Sequence, residues 1–96
     1  MKFARILSKI REKVKNEEYV LTTHAEEEMV DDDFIEVDLE TAILNGQILR
    51  RQRDLLGRAK YIIQGVATDS RKIQIVCRFS DSGNYVVIIT VYEVME

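Results

Sequence analysis

Apolar side chains at the start of the chain repeat with the period of a helix. They are separated by three or four residues, and lysines and arginines occupy most positions between them. Such spacing collects the apolar side chains on one face of an amphipathic α-helix, and Asn16 suits its end. Residues 19–21 then form a short stretch with β propensity. The apolar positions are Phe3, Ile6, Leu7, Ile10 and Val14.

Two further helices are predicted in the first half of the chain. Glu26 follows Thr23 by three residues, the spacing of a capping box, so a second helix should begin at His24. A third helix should cover about residues 37–45, and Gly46 should stop it in the left-handed conformation.

Beyond Gly46 the period of the pattern changes to two, which is typical of half-buried strands. Short turns separate the predicted strands, so consecutive strands should form an antiparallel meander with the helices on one face. The last strand is the most apolar and should lie centrally. The predicted fold class is α+β, with two or three N-terminal helices and a four-stranded, mostly antiparallel sheet in one domain spanning residues 1–96. The strands should cover residues 47–53, 60–66, 72–79 and 85–94.

Composition is that of a globular protein, with 46% hydrophobic and 32% charged residues. Cys77 is the only cysteine, which excludes an intramolecular disulfide and favours a reducing compartment. It shares the inward register of its strand and should be a buried small hydrophobe. No apolar stretch approaches the roughly 18 residues of a membrane span, and no signal peptide is evident. We therefore expect a cytoplasmic protein without a membrane segment.

Charge is distributed unevenly behind a net charge of −3. Residues 26–40 contain nine carboxylates and no base, and we expect them to form a solvated helix face. Residues 50–60 contain five bases and one acid. Proteins that bind nucleic acids are usually basic overall, because neutralising phosphates supplies much of their affinity. Only a local basic patch of this chain could therefore bind RNA.

The densest basic run contains Arg50, Arg51 and Arg53, with Tyr61 on the next strand. Strand alternation should place Arg51 and Arg53 on one face and Arg50 on the other. These arginines could contact RNA phosphates, with Tyr61 beside them. Alternatively, the run pairs with the acidic segment 26–40.

His24 is the only histidine and the strongest candidate for a general base. At a helix start the dipole disfavours the imidazolium and favours a neutral ring, whereas the neighbouring Glu26, Glu27 and Glu28 favour the charged ring, so both states stay open. Glu28 lies four residues on, on the same helical face, and could orient the ring. Two ligands without a further histidine or cysteine do not define a metal site, so no metal or other cofactor is expected. The alternative is a partly exposed histidine with a local hydrogen bond.

Three residues of the last two strands complete the candidate site. Arg78 lies on the polar side of its strand and should approach Tyr85 or Val87, while Thr90 and Tyr92 share one face further along the sheet. Arginine can bind phosphate with two hydrogen bonds, and tyrosine can donate a hydrogen bond or stack on a base. Alternatively, these side chains simply form a solvated sheet face.

Several stretches resemble the bacterial "domain of unknown function 4258" family over nearly the whole chain after the first helix. The resemblance implies a fold similar to the RelE-like toxin nucleases and their barnase-like relatives. It also implies a toxin of a toxin–antitoxin pair, with a zinc-ribbon or helix-turn-helix antitoxin as partner, and singles out His24, Arg78, Thr90 and Tyr92. The stretches are Tyr19…Thr22-Thr23-His24-Ala25…Met29, Ile35…Ala42-Ile43-Leu44-Asn45-Gly46, Arg50-Arg51-Gln52, Lys60-Tyr61-Ile62, Ala67-Thr68-Asp69…Arg71 and Ile89-Thr90-Val91-Tyr92.

Two hypotheses from different classes follow. The first is a metal-independent endoribonuclease, with His24 as base or acid, Arg78 as the cation that stabilises the phosphorane, and Tyr92 as acid or stacking partner. Arg50, Arg51 and Arg53 would hold the RNA backbone. The second is a non-catalytic protein-binding module or inactive toxin relative, whose basic first helix docks an acidic partner. A small dimeric regulator that uses its sheet edge is a third interpretation.

Overall fold

The computed structural model describes residues 2–95, which confirm the predicted α+β class and form three helices and five strands. The four predicted strands begin and end within one residue of the predicted positions. Within the described part, none of the helices is both long and apolar enough to cross a membrane. The elements are α1 (Ala4–Lys15), β1 (Tyr19–Leu21), α2 (Thr23–Asp31), α3 (Glu36–Asn45), β2 (Gln47–Arg53), β3 (Ala59–Val66), β4 (Lys72–Phe79) and β5 (Val86–Glu93).

The sheet differs from the prediction in having five strands and mixed pairing, in the order β1-β5-β4-β3-β2. The short strand β1 pairs in parallel with β5, with Tyr19 opposite Val86 and Leu21 opposite Ile88, while all other pairs are antiparallel. The prediction of four strands is wrong because β1 is too short to show a period and its partner lies far along the chain. As a result β5 is flanked on both sides, and β4 occupies the middle of the sheet.

The start of α2 also differs, because Thr22 and not Thr23 caps the helix. The Thr22 hydroxyl accepts a hydrogen bond from the Ala25 amide at 3.1 Å and donates one to the Ile89 carbonyl at 3.1 Å. The Thr22 amide also donates to the Ile88 carbonyl, which keeps Thr22 extended as a continuation of β1. His24 is consequently the second residue of the helix, not the first.

Gly46 ends α3, but not in the predicted left-handed conformation. Its φ of −85° and ψ of −178° are extended. A Cβ atom at this position would lie 2.5 Å from the Ala42 carbonyl oxygen and 2.6 Å from that of Gln64. Glycine is needed here because the end of α3 approaches the backbone of β3 closely, and this requirement comes from tertiary packing.

The three helices cover one face of the sheet and form the core with it. Helix α2 contacts β5, α3 contacts β3 and β4, and α1 packs against α3 and β5. Cys77 is fully buried in this core, as predicted, and burial raises the pKa of its thiol to about 12. It is therefore a packing residue and not a nucleophile at neutral pH. The other buried strand residues include Ile63, Ile73, Ile75, Val86, Ile88 and Val91.

Part of the acidic segment has a structural role at the edge of β5. Strand β1 pairs only with the first part of β5. Past that part, the Glu28 carboxylate accepts a hydrogen bond from the Val91 amide and the Asp32 carboxylate accepts one from the Glu93 amide, each at 3.0 Å. Four residues of helix rise about 6 Å and two residues of strand about 6.6 Å, so carboxylates four apart on α2 match amides two apart on β5. The expectation of a purely solvated acidic face is therefore wrong for these two residues.

Arg71, in the turn between β3 and β4, connects that turn to the C-terminal end of α2 and to β5. Its guanidinium lies 4.1 Å from the centre of the Phe34 ring, and four hydrogen bonds fix its plane. They run from Nε to the Asp69 carboxylate (2.7 Å), from Nη1 to the Asp32 carbonyl (2.6 Å) and the Glu93 carboxylate (3.2 Å), and from Nη2 to the Asp33 carbonyl (3.0 Å).

Replacing Arg71 by lysine is expected to lower the melting temperature by about 5 °C. A lysine keeps the charge but cannot reach both carbonyls and both carboxylates at once, because its donors radiate from a single nitrogen. Arg51→Lys is the matched control, since Arg51 is exposed at the sheet edge. Thermal unfolding followed by circular dichroism measures the difference, and equal melting temperatures for the two variants would contradict the role of Arg71.

Candidate functional site

The face of the sheet opposite the helices, called the outer sheet face below, carries polar, basic and apolar side chains. Successive side chains of a strand point to opposite faces, so residues that alternate with the core positions belong to it. The apolar centre of this face includes Ile62, which its neighbours shield although it lies outside the main core cluster. The members on β2 to β5 are Arg50, Gln52, Lys60, Ile62, Gln64, Lys72, Gln74, Val76, Arg78, Val87, Thr90 and Tyr92.

A row of hydrogen-bonded side chains crosses the outer sheet face. The strand register places Gln64 opposite Gln74 and Gln74 opposite Tyr92. The Tyr92 hydroxyl donates to the Gln74 side-chain oxygen, and the Gln74 amide donates to the Gln64 side-chain oxygen at 2.9 Å. This row holds the phenol of Tyr92 against the sheet while its ring remains partly accessible. Sequence reasoning missed the row, although the short turn between β3 and β4 and the spacing of the two glutamines could have indicated it.

The basic residues of β2 divide between the two faces, as alternation predicted. Arg50 lies opposite Ile62 on the outer sheet face, and Arg51 lies opposite Tyr61 on the other face. The Arg53 side chain donates to the Gly57 carbonyl at 2.9 Å within the following turn. Within residues 2–95, no ion pair joins these arginines to the acidic segment, so their charges remain available to an anion.

Tyr61 does not share the solvent-exposed surface on which the arginines of β2 lie. Its side chain points into the core, and only 7% of the residue is exposed. The ring makes edge-to-face contacts with Phe3 and Phe79, at centroid distances of 6.3 Å and 6.5 Å. The structure thus gives Tyr61 a packing role and does not place it with residues that could touch a substrate.

Arg78 lies opposite Val87, one of its two predicted neighbours, near the turn that joins β4 to β5. Its Nη1 atom donates to the Phe79 carbonyl at 3.1 Å and lies 3.8 Å from the carboxylate of Asp81. The same carboxylate is 3.5 Å from Nη1 of Arg58. Arg58 also pairs with Asp54, at 2.7 Å from its Nε atom, so the carboxylates of Asp54 and Asp81 balance the two arginines at this end of the sheet.

His24 is exposed and is oriented by Glu28. Its side chain is 65% exposed, and Nε2 lies 3.3 Å from the Glu28 carboxylate oxygen that also accepts the Val91 amide. Because the backbone of β5 holds this carboxylate, the carboxylate holds the imidazole. If Nε2 carries the proton of a neutral ring, the lone pair is on Nδ1, which is then the atom able to accept a proton.

The candidate catalytic residues lie on three different elements, α2, β4 and β5, and do not form one compact cluster. Glu28 links His24 to Val91, which stands between Thr90 and Tyr92 in the chain. Arg78 is four residues from Gln74, the partner of Tyr92, which corresponds to about 13 Å along the sheet. In the described part of the chain no side-chain contact joins His24, Arg78 and Tyr92. Among residues 2–95, no group of three or more His, Cys, Asp and Glu side chains is arranged to hold a metal ion.

Comparison with known proteins gives one match. No curated protein and no solved structure matches the chain. A family model described as domain of unknown function (DUF4258) matches residues 21–93, from the last residue of β1 to the last residue of β5. The matched part contains α2, α3 and four strands, and with them every candidate site residue. The chain therefore belongs to the DUF4258 family.

Proposed function

We propose that this protein is a metal-independent endoribonuclease with a RelE-like fold, acting as the toxin of a toxin–antitoxin pair. The observation that carries the proposal is the exposed imidazole of His24, oriented by Glu28 beside the edge of β5. The outer sheet face next to that edge offers Arg50, Arg78 and Tyr92 to a single-stranded RNA.

The proposed reaction is an internal transesterification. Nδ1 of His24 removes the proton from a ribose 2′-hydroxyl, and the 2′-oxygen attacks the adjacent phosphorus. The bond from phosphorus to the 5′-oxygen breaks, and that oxygen takes up a proton, for which the Tyr92 hydroxyl is the candidate donor. The products are a 2′,3′-cyclic phosphate and a 5′-hydroxyl end.

The two ends of the outer sheet face serve different parts of the RNA in this proposal. Tyr92 lies close along the chain to the strand edge that holds His24, and its ring could stack on a base. Arg78 is about 13 Å away along the sheet, so it binds a phosphate further along the same RNA strand. Arg50 provides a second cation across the sheet, opposite Ile62.

His24→Ala is expected to reduce the rate of RNA cleavage by about 10²–10⁴-fold. Glu27→Ala is the matched control, because Glu27 is exposed on the same helix and belongs to no ion pair among residues 2–95. Purified variants are compared on a single-stranded RNA at equal concentration, and the new 5′ ends are analysed chemically. Induced expression in bacteria should arrest growth with wild type and with Glu27→Ala, and the arrest should be relieved by His24→Ala and by Arg78→Ala.

Two results would contradict the ribonuclease. One is normal growth and intact RNA with folded wild-type protein. The other is equal cleavage by His24→Ala and Glu27→Ala, which would indicate a contaminating nuclease or a different site.

We propose a non-catalytic protein-binding module, or an inactive toxin relative, as the second candidate function. It is supported by the structural use of the carboxylate beside His24, since Glu28 caps the Val91 amide whether or not a reaction occurs. It is also supported by Val30, which is strongly exposed on the outward side of α2. Tight binding of a partner by a protein that leaves RNA intact would favour this second function.

A further inference from the structure

Four large apolar side chains are exposed on and beside the acidic helices. The exposed fractions are 74% for Val30, 64% for Ile35, 52% for Val37 and 48% for Val20. Single exposed apolar residues are common, but several in one region indicate a surface that binds another molecule. Val30 belongs to α2, Ile35 and Val37 to the start of α3, and Val20 to β1.

Two shallow depressions connect much of this region. One, of about 420 Å³, has Val20, Glu26 and Glu36 in its lining. The other, of about 410 Å³, has Glu26, Glu27 and Val30 in its lining. Because Glu26 borders both, Val20 and Val30 lie on one continuous stretch of surface. We call this stretch, together with Ile35 and Val37, the acidic apolar surface.

The carboxylates of the acidic apolar surface are not neutralised by the protein. Within residues 2–95, none of Glu26, Glu27 and Glu36 takes part in an ion pair, and all three are exposed. Other carboxylates of the same segment are used internally, as for Glu28 and Asp32 at the edge of β5. The surface therefore combines apolar contact area with uncompensated negative charge.

We propose that the acidic apolar surface binds a basic amphipathic segment of a partner protein. Aliphatic side chains of that segment would cover Val20 and Val30, and its lysines and arginines would face Glu26, Glu27 and Glu36. Complementary charge of this kind favours the encounter and selects against acidic partners.

A second copy of the chain does not fit this surface well, although α1 is basic. Contact between α1 of one copy and the acidic apolar surface of another would join two different patches, and such contacts either close into a ring or extend into a filament. A separate basic partner satisfies the same charges in a closed one-to-one complex. We therefore expect a separate basic protein, and not a second copy of this chain, to bind the acidic apolar surface.

Glu26 and Val30 of the proposed docking surface point away from His24 on α2, whereas Glu27 lies closer to it. At 3.6 residues per turn, Glu26 is rotated about 200° from His24 and Val30 about 240°. Ala25 and Met29 occupy the buried side between these directions. Glu27, rotated about 300°, lies only about 60° from His24, so a bound segment that reaches Glu27 borders the imidazole. The interaction itself does not depend on the proposed ribonuclease.

The test uses a synthetic helical peptide of about 20 residues, with leucines along one face flanked by lysine and arginine, binding the full-length protein. A control peptide carries glutamate in place of every lysine and arginine. Fluorescence anisotropy should show binding of the basic peptide that weakens as salt is raised, and at least about tenfold weaker binding by the control peptide. We expect Val30→Ser and Glu26→Lys each to weaken binding at least about tenfold.

Matched variants elsewhere on the surface keep the result interpretable. Leu55→Ser removes a fully exposed apolar side chain from the turn between β2 and β3, and Glu12→Lys reverses an exposed charge on α1. Both should bind the basic peptide within about twofold of wild type, and circular dichroism confirms that all variants are folded. Equal affinity for the two peptides, or equal weakening by test and control variants, would overturn the proposal. The proposal would also be overturned if the free protein self-associates and Val30→Ser abolishes that self-association, because the surface would then bind a second copy of the chain.

Discussion

Replacing Gly65 by alanine is expected to destabilise the protein by more than about 3 kcal/mol, the largest effect anticipated for a single methyl group in this fold. The glycine lies in β3, directly under α3. A Cβ atom there would overlap the carbonyl oxygen of Ala42 and would lie 2.7 Å from its carbonyl carbon and 2.9 Å from its Cα. All three are backbone atoms, so no side-chain rotation can relieve the overlap. Helix α3 would have to move off the sheet, which would open the core at Leu39 and Ile43.

Chemical denaturation of Gly65→Ala and wild type measures this effect, with Gly83→Ala as the control. A methyl group at Gly83 would have no other atom within 4 Å, although the φ of this residue is +77°. Alanine there should cost only about 1 kcal/mol, the ordinary penalty of a left-handed conformation. Similar unfolding free energies for the two alanine variants would mean that α3 can shift freely on the sheet.

Replacing Asp38 by asparagine is expected to cost about 2–3 kcal/mol of stability. Asp38 is 5% exposed, and its two oxygens accept three hydrogen bonds. One oxygen accepts the Ile35 amide at 3.0 Å, which caps α3, and the other accepts both the amide of Thr68, at 3.1 Å, and its hydroxyl. An asparagine has only one acceptor oxygen, so either the helix cap or the contact to the β3–β4 turn must be lost.

The same hydrogen bonds make the contribution of Asp38 dependent on pH. The bond from the Thr68 hydroxyl is the largest cause that lowers the pKa of Asp38 below its ordinary value of 3.8, and the amides of Ile35 and Thr68 act in the same direction. A carboxyl with a lower pKa in the folded state stabilises that state above its unfolded pKa and loses this contribution as pH falls through the folded pKa. The difference between wild type and Asp38→Asn should therefore be full at neutral pH and shrink below about pH 4.

Urea unfolding at pH 7 and at several values below pH 4 provides the measurement. Asp31→Asn, at an exposed position of α2, should differ little from wild type throughout. A constant difference between wild type and Asp38→Asn across the whole range would show that the charge of Asp38 is not what holds Thr68 and Ile35.

Local pattern was sufficient to predict most elements and the distribution of the arginines on β2. Strands with one buried face must repeat every two residues, so the bounds of β2 to β5 and the opposite placement of Arg50 and Arg51 followed from alternation alone. Helix α1 likewise followed from its 3.6-residue period. The burial of Cys77 followed from its register with Ile73 and Ile75.

The cap of α2 and the conformation of Gly46 at the end of α3 could not be assigned locally, because each depends on a distant strand. Thr22 and Thr23 are chemically equivalent as caps, and the hydrogen bond from the Thr22 amide to Ile88 decides between them. Gly46 resembles a left-handed stop in sequence, whereas in the structure its small size admits the backbone of β3.

The sequence by itself determined the α+β class, the antiparallel order of β2 to β5 and the residue types from which a site could be built, because these depend on side-chain periodicity and short connections. Only the tertiary structure decided that β1 adds a parallel fifth strand and that Glu28 orients His24 from the edge of β5. It also decided that His24, Arg78 and Tyr92 do not form one cluster and that Tyr61 is buried. The physical reason is that strand pairing and helix docking join residues far apart in the chain, and their geometry depends on the whole core.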